Sequence, residues 1–111
     1  MYEYKAKIIS VYDGDTVTAI AELGFHASMK IKIRLIGIDT PEIRGEEREQ
    51  GLISKDRMVE LILDKEVIVK TYKDKKGKYG RWLGEIYLPE SFPIKSVNQI
   101  MLDEGLAKRY M

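Results

Sequence analysis

RLIGIDTPEIRG, residues 34–45, begins as the end of a strand and finishes as something else. Just upstream, Ile31, Ile33 and Leu35 alternate with Lys30, Lys32 and Arg34, which is the period of two of a half-buried strand. Continued unbroken, the alternation would bury Asp39 as an unpaired carboxylate, at a cost of several kcal/mol. Leu35 and Ile36 are both apolar, however, and Gly37 follows, a break that marks a bulge or bend. A bend there turns Asp39 out of the core and toward the side that Arg34 occupies. The stretch therefore predicts a strand that stops at a bend, with a cation before it and two carboxylates, Asp39 and Glu42, beyond it.

Working outward, Tyr2, Tyr4, Ala6 and Ile8 alternate with Glu3, Lys5 and Lys7 and predict a first strand. Asp13-Gly14 is a turn dipeptide, and Val17, Ala19, Ala21 and Leu23 resume a strand, so the first two strands form a hairpin. A second turn over Gly24–Ala27 leads into the third strand. Past the bend the spacing changes: Gly51, Ser54, Met58, Leu61 and Ile62 share one helical face between Glu46 and Leu63. Glu66–Tyr72 predicts a fourth strand, Asp74–Gly80 a charged loop, and Arg81–Leu88 a fifth strand with Trp82, Gly84 and Ile86 facing the core. From about Lys95, Val97, Ile100 and Met101 predict a second helix, with Gly105 at its C′ position. The order β-β-β-α-β-β-α suits a small closed barrel of β-rich α+β class, one domain over residues 1–111, better than a doubly wound sheet.

The composition agrees with one self-sufficient core: 111 residues, 44% hydrophobic and 33% charged. No apolar run approaches the roughly 20 residues of a membrane span. The absence of cysteine excludes a disulfide framework and a thiolate metal site. The N-terminus shows no apolar signal region, so a cytoplasmic location is expected, and secretion would require a leader that has been removed. A net charge of +1 is far from that of a protein held to nucleic acid by bulk charge. Affinity for a polyanion must come from local placement.

That placement is uneven. Asp15, after the first turn, and Asp39, at the end of the third strand, are positioned to reach one ion. Two carboxylates with a backbone carbonyl and water make a hard-oxygen site for Ca²⁺ or Mg²⁺ rather than zinc. Arg34 and Arg81 both fall on predicted strands, and a guanidinium grips phosphate through parallel hydrogen bonds. With Glu42 to spare, these are the parts needed to hydrolyse a phosphodiester. Taken singly, each has an ordinary reading as a turn residue, a helix start or a solvated charge. Tyr2, Tyr4 and Tyr12 are read as packing groups, and His26 as a turn residue.

DGDT (13–16), RLIGIDTPE (34–42), KYGR (78–81) and VNQIMLDEGLA (97–107), in this order, resemble the staphylococcal nuclease (thermonuclease) family across nearly the whole chain. The resemblance implies a five-stranded OB-fold barrel with two helices, lacking the usual third C-terminal helix. It also implies that Asp15, Asp39 and the Thr40 carbonyl bind Ca²⁺, that Arg34 and Arg81 hold the phosphate, and that Glu42 acts as general base or orients water. Lys78 and Tyr79 would contact the bound nucleotide. The implied reaction is endonucleolytic cleavage of single-stranded DNA and RNA to 3′-phosphate ends. Only Tyr110 stands where the family carries an aromatic wall, and the missing helix is expected to lower stability or to be replaced by a second copy of the chain. The rival is an OB-fold module that binds nucleic acid or protein without hydrolysis.

Overall fold

Three successive strands, β1 (Tyr2–Asp13), β2 (Thr16–Gly24) and β3 (Ala27–Leu35), form an antiparallel meander. Its first hairpin closes over Gly14 and Asp15, and its second over Phe25 and His26, whose φ of 52° and 64° is the left-handed geometry of a two-residue hairpin loop. Alternation along β2 and β3 sends Val17, Ala19, Ala21, Ile33 and Leu35 inward. The computed structural model describes residues 2–76 and 81–110, and the remaining elements are a short β4 (Ile38–Asp39), α1 (Arg48–Ile62) after a 3₁₀ turn, β5 (Glu66–Lys76), β6 (Trp82–Tyr87), α2 (Val97–Asp103) and β7 (Lys108–Arg109).

The long strands close into a five-stranded OB-type barrel in the order β1-β2-β3-β6-β5, with the two helices outside it. One pair, β3 with β6, is parallel. There Asn98 of α2, itself buried, takes over from the ladder: its amide donates to Ile36 O at 2.8 Å and Gly84 O at 3.3 Å, and its oxygen accepts from Ile86 N at 3.1 Å. Small inward residues, Ala6, Ala19 and Ala21, stand among Ile8, Ile33 and Ile86, as the taper of a small barrel requires. Among the described residues no helix is long and apolar enough to cross a membrane.

At Gly37 the backbone takes φ 83°, a conformation costly for any residue with a Cβ. The parity of β3 breaks there: Ile38 is buried and the next side chain, Asp39, is 39% exposed. Helix α1 buries Gly51, Ser54, Met58, Leu61 and Ile62, the face marked by spacing. Helix α2 starts at Ser96, whose side chain accepts from Gln99 N at 3.0 Å. It ends in a Schellman motif, Gly105 N donating to Leu102 O and Leu106 N to Met101 O.

Several expectations change. Strand β5 runs through Lys76, into the segment expected to be loop, and Arg81 lies just before β6 rather than on it. Trp82 is half-buried, not core, and lines an apolar hollow with Tyr4, Leu23 and Met29. Tyr2 and Tyr12, read as packing groups, are exposed. For Tyr12 the cause is local: the register of β1 on β2 slips between Ile8 and Ser10 and again between Val11 and Asp13, and each extra residue upsets the simple alternation. Finally, β4 and β7 pair as a small separate ribbon, an element too short for any periodicity to announce.

Candidate active site

One row of residues runs across four strands at an end of the barrel. Asp13 faces Thr16, Thr16 faces Arg34, and Arg34 faces Leu83. The parallel β3–β6 pairing is what brings Arg81, two residues before Leu83, beside Arg34 despite their separation in sequence. Asp15 projects from the first hairpin, where its N–H donates to Asp13 Oδ1 at 3.1 Å, a side-chain turn that fixes the backbone.

Asp15 is only 5% exposed, and its carboxylate is well partnered. Oδ1 accepts from Thr16 Oγ1 at 3.1 Å, and Oδ2 accepts from Thr40 N at 3.0 Å. Arg34 is fixed by the bend itself: Nη1 donates to Leu35 O at 2.8 Å and to Ile38 O at 2.9 Å. Its Nη2 then lies 3.4 Å from both Asp15 Oδ2 and Asp39 Oδ1. Arg81 Nη1 donates to Thr16 Oγ1 at 3.4 Å. Glu42 is exposed at the rim, with its N–H donating to Glu47 Oε1 at 3.3 Å.

The β4–β7 ribbon sets the remaining wall. Asp39 pairs with Lys108, and Tyr110 N donates to Gly37 O at 3.0 Å. This places the Tyr110 ring 5.7 Å from the Arg34 guanidinium carbon, a cation–π distance. Asp13, Asp15, Arg34, Asp39, Thr40, Glu42, Arg81 and Tyr110 all line a single cleft of about 460 Å³, together with Tyr12 and Leu83. Lys78 and Tyr79 lie outside the described residues.

The electrostatics of the cleft are unbalanced in an informative way. Burial pushes the Asp13 carboxyl up to about 7, and the hydrogen bond and charge of Asp15 push in the same direction. Thr40 Oγ1 is buried with no hydrogen-bond partner among the described residues. Crowded carboxyl groups and an orphaned hydroxyl oxygen form a donor environment that fits a hard divalent cation. Among the described residues no three Asp, Glu or His side chains close into one ligand cluster. Asp15 and Asp39 are drawn together as a pair, each 3.4 Å from Arg34 Nη2.

A family profile described as staphylococcal nuclease homologue matches residues 32–111. The chain belongs to the staphylococcal nuclease family. It is 33% identical over 104 residues to an uncharacterized endonuclease of Escherichia coli O157:H7, a match covering 94% of this chain and 60% of that one. It is 30% identical over 113 residues to a micrococcal nuclease of Shigella flexneri, covering 97% and 59%. A staphylococcal-like nuclease of Arabidopsis thaliana is 34% identical over 82 residues, covering 74% of this chain and 23% of the relative. The chain thus spans about three fifths of the length of its bacterial relatives.

Within this staphylococcal nuclease domain, sequence reasoning named Asp15, Arg34, Asp39, Thr40, Glu42 and Arg81, and the structure brings all six to one cleft. It did not name Asp13 or Tyr12 as cleft residues. Asp13 was absorbed into its turn motif, and Tyr12 reaches the cleft from beside a bulge that the pattern of apolar residues does not display.

Proposed function

We propose that this domain is a Ca²⁺-dependent endonuclease that hydrolyses phosphodiester bonds of single-stranded DNA and RNA and leaves 3′-phosphate ends. The observation that carries the reading is the convergence of two guanidiniums, from Arg34 and Arg81, with the carboxylates of Asp15, Asp39 and Glu42 in one cleft. The similarity to a bacterial endonuclease and a micrococcal nuclease supports phosphodiester cleavage as the chemistry. Asp15, Asp39 and the Thr40 carbonyl would hold the cation. When bound, a divalent ion polarises a phosphoryl oxygen and offsets charge that develops on it.

The chain's own groups do the rest. Arg34, with Nη1 anchored on two carbonyls, presents Nη2 to the cleft in a fixed orientation, so little entropy is lost when a phosphate takes the place of its long carboxylate contacts. Arg81, held by Thr16 Oγ1, lines the same cleft and shares the developing negative charge. Glu42 accepts a proton from the attacking water as the water oxygen bonds to phosphorus and the P–O5′ bond breaks, the departing 5′-oxygen taking a proton from solvent water to leave as the alcohol. A positioned base of this kind contributes about 10²–10⁴-fold in rate.

The test is cleavage of a labelled single-stranded DNA oligonucleotide in Ca²⁺ against excess EGTA, with Glu42→Gln in parallel. Calcium-dependent cutting that falls at least about 10²-fold in the variant supports the reading. A wild-type chain that binds the strand but does not cut it under any divalent ion leaves the non-catalytic binding module as the function.

A further inference from the structure

The cleft does not end at Arg81. A second hollow of about 380 Å³ runs along the outer face of β1, β2 and β3 and is lined chiefly by Ser10, Tyr12, Thr16, Thr18, Lys32 and Arg81. Tyr12, Thr16 and Arg81 join it to the first: Tyr12 and Arg81 line both hollows, and Thr16 bonds Arg81. The two differ in chemistry. Four carboxyl-bearing residues line the first, whereas the second carries two cations, hydroxyl groups and a phenol, with no carboxylate in its lining.

The register explains the arrangement. Between the two slips of β1, Ser10 faces Thr18, and Thr18 faces Lys32. This row repeats the Asp13–Thr16–Arg34 row one step further from the cleft. Lys32 and Arg34 are two residues apart on one face of β3, roughly 7 Å along the strand, a separation of the order of that between successive phosphates in an extended nucleic-acid strand. Tyr12, at the second slip, is 54% exposed. Among the described residues its ring packs on no other aromatic group and its hydroxyl makes no hydrogen bond, and Lys32 makes no ion pair.

We propose that Tyr12 and the Ser10–Thr18–Lys32 row form a second substrate subsite, holding a nucleotide next to the scissile phosphate on the side away from Tyr110. Tyr12 stacks on its base, Lys32 binds its phosphate, and the two hydroxyls donate to phosphate or sugar oxygens. The inference rests on the reading of the cleft as a phosphodiester site.

The experiment measures fluorescence anisotropy of a labelled single-stranded DNA oligonucleotide with the full chain in EGTA across a salt series, followed by cleavage in Ca²⁺. Tyr12→Ala is expected to weaken binding roughly 10- to 100-fold, the range for losing one stacked base, and Tyr12→Phe to recover it. Lys32→Gln is expected to reduce the slope of log affinity against log salt by about 0.7, the value for one phosphate contact on a single strand. Wild-type cutting with both variants binding as tightly as wild type, and with the same salt slope, overturns the subsite and leaves the chemistry standing. Binding that depends on Tyr12 and Lys32 without any cutting supports the subsite and sinks the proposed chemistry. No measurable binding by wild type, in EGTA or in Ca²⁺, overturns both.

Discussion

Burial and the neighbouring Asp15 carboxylate raise Asp13 from 3.8 to about 7, so this one carboxyl carries a pH dependence of its own. Below about pH 4 the group is protonated in both folded and unfolded chains. As pH rises toward 7 the unfolded chain loses its proton first, so the contribution of Asp13 to stability falls throughout that window and is fully lost above about 7. In EGTA, the urea midpoint of wild type is therefore expected to drop more between about pH 4.5 and about pH 8 than that of Asp13→Asn. Equal drops in the two proteins would show that Asp13 is not the group responsible. The identity of Asp13 as a turn former was legible from its Gly14 neighbour, but its shifted acidity was not, because that depends on how deeply the hairpin end is buried.

At the scale of elements, α1 meets the loop before it at Gly51. A Cβ built there would fall inside contact distance of the Glu42 carbonyl and 2.8 Å from Pro41 O, so the helix backbone itself is the surface on which the Thr40–Glu42 turn rests. Replacing a helical glycine with alanine ordinarily stabilises by about 1 kcal/mol. Here the sign is expected to reverse: Gly51→Ala costs about 1–3 kcal/mol through overpacking and displaces Glu42, where a shift of about 1 Å lowers kcat/KM on the order of 10²-fold. Urea midpoints and oligonucleotide kinetics measure the two effects separately, and a variant at least as stable and active as wild type would contradict the contact. The spacing of small residues foretold which face of α1 is buried. What that face packs against was not in the spacing, since a helical period marks a buried stripe and not its neighbour.

Across the whole molecule, the barrel closes where β3 runs parallel to β6, and Asn98 holds that junction through Ile36 O, Gly84 O and Ile86 N. Asn98→Leu keeps the volume but strands buried backbone groups, at about 1–3 kcal/mol each. A loss of about 3 kcal/mol in urea unfolding is expected, with the denaturant dependence unchanged, and a loss near zero would mean the junction is held by other contacts. The same junction decides the site, because it alone sets Arg81 beside Arg34. Local chemistry in the sequence was enough to determine the five barrel strands, both helices, the bend at Gly37 and the residue types suited to phosphodiester chemistry, since periodicity, turn residues and helix ends act over a few positions. Tertiary structure alone decided the parallel closure, the β4–β7 ribbon that turns Tyr110 toward Arg34, the burial that shifts Asp13, and the continuous groove past Tyr12. Each of these depends on which distant segments pair and in what register, and a single strand's pattern of polar and apolar residues carries no record of its partner.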